Sequence, residues 1–153
     1  MRMRIFGISL TAVAVAALIQ IGGAYAIDTI SSADAPDLTQ VRIKIKAKDF
    51  AGALEELEPL LQTNQHADVY NLMGFSLRKT GDYKQAYTFY RKALDFDPEH
   101  KGALEYLGEL YVETGQVEKA KENVVLLRKL CPKGCEELED LEKAIAQASH
   151  KTN

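Results

Sequence analysis

Two groups of side chains in this 153-residue chain have types and spacings with chemical meaning: the run Cys131-Pro132-Lys133-Gly134-Cys135, and the series Glu105, Glu109, Glu113. Cys131 and Cys135 are the only cysteines. In an exported protein such a pair favours a disulfide. So small a loop constrains little of the unfolded chain, and its main effect is to fix the angle of the segment that follows. A redox-active pair is the weaker reading, since thioredoxin-like motifs keep two residues between the sulfurs and here there are three. Haem attachment would need His where Glu136 stands, and zinc would need further ligands, whereas His66, His100 and His150 are scattered. The three glutamates recur every four residues and share one helical face. Like charges at that spacing cost roughly 0.2–0.5 kcal/mol a pair. Either a basic side chain or amine of a partner compensates them, or they form a solvated face on an acidic protein. A catalytic carboxylate pair is not indicated, because no second acid in a distinct environment accompanies them. With no Gly-rich phosphate loop, nucleophile elbow or metal-spaced cluster either, the chain reads as no enzyme and as needing no cofactor.

The elements that must position these groups repeat. Residues 67–100 and 101–134 are one 34-residue unit written twice. In register, Gly74 matches Gly108, Gly81 matches Gly115, Ala86 matches Ala120 and Pro98 matches Pro132, while apolar Met73, Leu77, Tyr90 and Ala93 fall on Leu107, Tyr111, Val124 and Leu127. A fixed period of this length marks stacked helix–turn–helix units, none of which buries its apolar face alone. Gly74 and Gly108 fall mid-helix, where Gly costs about 1 kcal/mol against Ala, so close helix–helix contact is the expected compensation. Gly81 and Gly115 suit left-handed helix C-termini. Asp82 offers a cap to the next helix with Gln85 three residues on. Pro98 and Pro132 end the second helices.

An earlier, degraded unit precedes these. Lys48-Asp49-Phe50, Ala53, Leu57 and Leu60 copy Gly81-Asp82-Tyr83, Ala86, Tyr90 and Ala93 at a spacing one residue short. Its first element is ambiguous: Val41, Ile43, Ile45 and Ala47 alternate with charged residues as in a strand. Leu38, Val41 and Ile45 also satisfy helical spacing, and a strand would have no partner, so a helix is expected.

The motif Tyr70, Met73-Gly74, Leu77, Ala86-x3-Tyr90, Ala93, Pro98, with its copy Leu104, Leu107-Gly108, Tyr111, Ala120-x3-Val124, Leu127, Pro132, resembles the tetratricopeptide repeat (TPR) family. The resemblance covers residues 67–132 and extends back to about 37. It implies an all-α fold, a short solenoid of about three repeats over 37–148, closed by a capping helix that carries Leu138, Leu141 and Ile145. The paired-Cys segment before that helix is similar to one in small exported TPR proteins of Gram-negative bacteria. In the family the first helix of each unit lines a concave groove. Its ligand-facing positions fall here on Asp68, Asn71, Phe75, Arg78 and Lys79, then on Gly102, Glu105, Glu109, Val112 and Glu113, with Arg42, Lys44 and Lys46 near the same face. The resemblance thus implies a groove running from basic to acidic, with Phe75 near its middle to receive an apolar side chain. The carboxylate clamp of some family members is missing, since Leu72, Gly102 and Tyr106 stand at its positions.

Met1–Ala26 is a separate segment. Arg2 and Arg4 precede an apolar run from Ile5 to Ile21, and Ala24-Tyr25-Ala26 supplies small residues for cleavage after Ala26, the pattern of a secretory signal. An uncleaved membrane anchor is the alternative that the length of the run allows. Residues 27–36 read as a flexible leader and 149–153 as a disordered tail. Cleavage removes two arginines and no acid, taking the formal charge from −3 to −5. That balance argues against nucleic acid and anionic lipid, which need clustered Lys and Arg. The expected protein is periplasmic and binds another protein or peptide. An accessory role in thiol–disulfide chemistry through Cys131 and Cys135, and self-association into a scaffold, are the competing readings.

Overall fold

The computed structural model describes residues 35–151. The signal segment, the leader up to residue 34 and residues 152–153 lie outside the described residues. The helices are α1 (Thr39–Lys46), α2 (Phe50–Leu57), α3 (Leu60–Thr63), α4 (Ala67–Lys79), α5 (Tyr83–Phe96), α6 (Lys101–Glu113), α7 (Val117–Leu130) and α8 (Glu136–Lys151). The doubtful first element is α-helical, as its Leu38, Val41, Ile45 spacing predicts. At the other end α8 continues to Lys151, so residues 149–151 extend the helix where a tail was expected. Pro59 sits at the junction of α2 and α3, a break that makes the second helix of the first unit a two-piece element.

The three units share one turn. Each first helix ends with a residue in the left-handed region: Lys48 at φ 60°, Gly81 at 90° and Gly115 at 75°. In each turn a backbone N–H reaches five residues back: Asp49 to Lys44 O at 2.9 Å, Asp82 to Leu77 O at 2.9 Å, Gln116 to Tyr111 O at 2.7 Å. This is the Schellman closure, which satisfies carbonyls that the helix end leaves open. Lys48 does a glycine's work in the degraded unit. Asp49 and Asp82 then cap α2 and α5 from the same backbone conformation, accepting from the N–H of Gly52 at 2.9 Å and of Gln85 at 3.0 Å. Local side-chain chemistry therefore writes the same corner twice.

Packing follows the period. Ala53, Ala86 and Ala120 are fully buried at equivalent positions, followed four residues on by Leu57, Tyr90 and Val124. Gly74 lets α5 close on α4, since a Cβ there would lie 2.7 Å from the Tyr90 ring. Leu138 and Leu141 of α8 join the core formed by Tyr90, Leu107, Tyr111 and Leu127. The last helix thus covers the apolar face that the final repeat would otherwise expose, the capping role expected of it. Among the described residues no helix is long and apolar enough to cross a membrane.

Candidate functional site: the concave groove

Two neighbouring recesses lie along the first helices. The apolar one, about 450 Å³, is walled by Ile43 and Ile45 of α1, Leu72 and Phe75 of α4, and Tyr106 of α6. Phe75 is half-buried at its floor, its ring centroid 4.8 Å from that of Tyr106 and 6.1 Å from Phe50. Lys79 Nζ stands 5.2 Å above the Phe75 ring. From α1, Arg42 and Lys46 line this recess. Lys44 does not: it points to α2, binding Glu56 at 2.8 Å and the Gly52 carbonyl at 3.2 Å. The reason is helical phase, because Thr39, Arg42, Ile43 and Lys46 share the groove face and Lys44 falls outside it.

Arg78 is not a groove-surface cation. Its side chain is 1% exposed and forms an ion pair with Glu109 and a second, 2.6 Å long, with Glu113, while its Nε donates to Tyr90 Oη at 3.3 Å. Burial works against the charge, but Tyr90, Glu109 and Glu113 together raise the guanidinium above its ordinary pKa. Burial likewise raises the Tyr90 hydroxyl, with Arg78 opposing it. Two of the three striped glutamates are therefore compensated inside the chain. Their outer faces, with Val112, border a further recess against Ala144, Gln147 and Ala148 of α8.

Glu105 differs. It is 8% exposed, and among the described residues no hydrogen bond or ion pair reaches its carboxylate. Burial, with Glu109, Asp140 and Glu137 adding repulsion, pushes its pKa up to about 8. It lines a polar recess of about 290 Å³ together with Asn71, Tyr106 and Asp140. Asn71 is 5% exposed and its Oδ1 has no hydrogen-bond partner. Burial also pushes the Tyr106 hydroxyl up to about 12.

The sequence reading placed Asn71, Phe75, Arg78, Lys79, Glu105, Glu109, Val112 and Glu113 on one groove. The structure divides them into an apolar floor, a closed Arg78 ion cluster and an open polar recess. It adds Tyr106, which borders both the apolar and the polar recess, and Asp140 of the capping helix. Tyr106 lies one period after Leu72, which borders the same two recesses, so the repeat itself carried that signal. His66 and His100 are also one period apart, and both are helix N-caps. His100 Nδ1 accepts from the Ala103 N–H at 3.1 Å, which leaves Nε2–H to donate to Asp68 at 3.0 Å and hold that carboxyl below its usual range.

Cys131 and Cys135 are bonded, with Cα atoms 5.8 Å apart. Cys131 is 7% exposed and Cys135 is half-buried. The bridge spans the turn between α7 and α8 and so bears on where α8 begins.

Comparison with known proteins agrees with this geometry. Residues 77–128 match the tetratricopeptide repeat family. The chain is 35% identical over 80 residues to the BBSome complex member BBS4 of Bos taurus, and 36% over 66 residues to that of Mus musculus. These alignments take in 52% and 43% of this chain but 15% and 13% of the relatives, so the chain spans a small part of their length. Among solved structures, the type III secretion translocator chaperone SycD of Yersinia enterocolitica superposes with a TM-score of 0.64 at 14% identity, covering 74% of this chain and 89% of that one. A stacked array of helical pairs with a concave face is a scaffold for holding other proteins. Residues 77–128 are thus similar to the tetratricopeptide repeat family, and the stacked helical pairs around them have the fold of such repeats, the architecture of a protein–protein interaction module.

Proposed function

We propose that the protein is an exported, periplasmic interaction module that holds an extended peptide or a helix of another protein in the concave groove. The observation that carries this reading is the apolar recess over Phe75. Ile43, 54% exposed, and the half-buried Ile45, Phe75 and Tyr106 form an apolar surface open to solvent, with Arg42 and Lys46 at its rim. A concave apolar surface with a charged rim suits a partner that inserts one side chain and lies across the helices. SycD, which shares this fold, is a type III secretion translocator chaperone, and that likeness supports the reading. Export is supported by the basic, apolar and small-residue pattern of Met1–Ala26, and the Cys131–Cys135 bond fits an oxidising compartment.

A photo-crosslinking residue at Ile43 in the exported protein tests the groove in living cells. One recurrent protein, whose capture is lost in Phe75→Asp, is the expected result. Capture of a second copy of this chain would replace the reading with self-assembly, and capture unaffected by Phe75→Asp would remove the groove from it. Mass spectrometry of the same material should find a chain that begins at Ile27. An intact N-terminus would overturn the export reading.

A further inference from the structure

The polar recess between α4, α6 and α8 is lined mainly by acceptors, and ionising Glu105 removes a donor from it. Asn71 Oδ1 is buried and unpartnered, and Glu105 beside it is buried without an ion pair. Asp68, Glu136, Glu137 and Asp140 add four carboxylates to the walls. Ionised carboxylates and an amide oxygen can only accept. Arg42, 4.0 Å away, and the His100 Nε2–H, 3.0 Å away, are both turned to Asp68 at the rim, which leaves Asn71 and Glu105 unmatched.

We infer that this recess is a subsite for one basic side chain, arginine in preference to lysine, carried by the segment that docks in the groove. The inference rests on the groove reading and names the chemistry of its occupant. Three observations select a side chain over a bare metal ion. The recess, at about 290 Å³, is many times the size of an ion. Its carboxylates are too dispersed to share one, because among the described residues the three ligand atoms found within 4.8 Å of one another belong to Cys131, Cys135 and Glu137. The Tyr106 ring forms part of the wall, and a planar guanidinium can lie against an aromatic face while its N–H groups reach acceptors on several sides. Because Arg42, Leu72 and Tyr106 border both recesses, a single segment can fill the apolar one and the acidic one together. Glu136, Glu137 and Asp140 come from α8, so the capping helix is part of the site, and the Cys131–Cys135 bridge lies immediately before them.

A proton accompanies binding. Around Glu105 stand Tyr106 and Glu109 on its own helix, Asp68 and Arg78 on α4, Glu136, Glu137 and Asp140 on α8, Arg42 on α1 and His100 ahead of α6. Burial and the neighbouring acids keep Glu105 protonated up to about pH 8. A cation binds the ionised form, so affinity rises as pH passes through that value.

The test is an NMR titration of the mature protein with N-acetyl-arginine amide, run beside N-acetyl-norleucine amide and calcium chloride. Saturable shifts centred on Asn71, Gly102 and Glu105 are expected with the arginine derivative. Affinity should fall about tenfold in Glu105→Gln, the loss of one charge-assisted hydrogen bond, and its rise with pH should disappear in that variant. Equal shifts with norleucine amide, no shifts with arginine amide, or shifts at these residues with calcium alone would each overturn the assignment. Crosslinking at Ile43 is independent: a captured partner with no arginine binding sinks the subsite and keeps the groove. Arginine binding with no captured partner sinks the groove reading and with it the docked segment.

Discussion

Glu105 and the pair Glu109/Glu113 occupy the same stripe of α6 and have opposite fates. Four residues beyond Glu105, the stripe meets Arg78, a cation buried to 1% exposure whose every contact is internal. At Glu105 the residue across the groove is Asn71, which offers another acceptor. The repeat explains the difference. Arg78 lies 31 and 35 residues before its two partners, close to one period, so adjacent first helices bring them side by side. Asn71 lies one period before Glu105, at the equivalent position. Charge in a solenoid groove is thus settled helix against helix. A like-charge stripe on one helix says little until the facing helix is known. Here one end of the stripe holds the scaffold together and the other end is left for a ligand.

The largest effect should come from breaking the closed end. Arg78→Met leaves Glu109 and Glu113 facing each other without a cation and removes the donor to Tyr90. Loss of one partner from a fully buried ion cluster costs about 3 kcal/mol; with Glu109 25% and Glu113 38% exposed, solvent offsets part of this, and the remainder is read as a lower urea midpoint at unchanged slope. The same measurement on Glu105→Gln should show no loss at neutral pH. Equal destabilisation by the two would mean that both ends are structural, and the distinction drawn here would fail.

Gly74→Ala attacks the closed end indirectly. The new methyl would meet Tyr90 ring carbons at 2.7 and 2.8 Å, and Tyr90 is held in turn by Arg78. Overpacking of this kind costs roughly 1–3 kcal/mol, partly offset by the better helix propensity of Ala. A wild-type midpoint would show that α4 and α5 can slide apart without disturbing the ion cluster.

How much of this was legible in the sequence follows from where the information lies. The corners were readable because capping and left-handed turns are set within a few residues: Thr80-Gly81-Asp82 with Gln85 states its own geometry. Lys48 was readable only by alignment with Gly81, since nothing in a lysine announces a positive φ. Gly74 was readable because a mid-helix glycine needs a reason. The compensation of Glu109 and Glu113 needed the facing helix, although a separation near one period from Arg78 was in plain view. Tyr106 and the paired histidines carry their signal in the period: taken singly they read as a clamp position or as scattered metal ligands, and only the 34-residue spacing pairs Tyr106 with Leu72 and His66 with His100. Asp140 was beyond reach, because it enters the recess from a helix outside the repeat.

A third prediction sharpens the open end through pH. Glu105 has a folded-state pKa of about 8 against an ordinary value of 4.5. Between those values the folded state holds a proton that the unfolded state has released, so this group lowers stability as pH rises and the loss is complete above about 8. The slope for one proton is at most about 1.4 kcal/mol per pH unit, and groove solvent reduces it. Urea unfolding at several pH values should therefore show wild type falling toward alkaline pH and Glu105→Gln falling less. Parallel curves would mean that water reaches Glu105 well enough to ionise it normally.

The smallest effect concerns Gly102, which borders the same recess. A Cβ there would lie 3.2 Å from Asn71 Nδ2 and 3.5 Å from His100 Cε1, tight contacts that a small rotation of the Asn71 amide relieves. In the first turn of α6 the gain in helix propensity is modest, so Gly102→Ala should leave stability within about 0.5 kcal/mol of wild type. Its consequence should appear in binding. The rotated amide no longer presents Oδ1 to the recess, and arginine amide should bind several-fold more weakly while the apolar recess over Phe75 is untouched. That pattern would separate the polar recess from the scaffold more cleanly than any charge substitution, because it alters no charge. Unchanged affinity would remove Asn71 from the site and leave Glu105 and the α8 carboxylates to hold the cation alone.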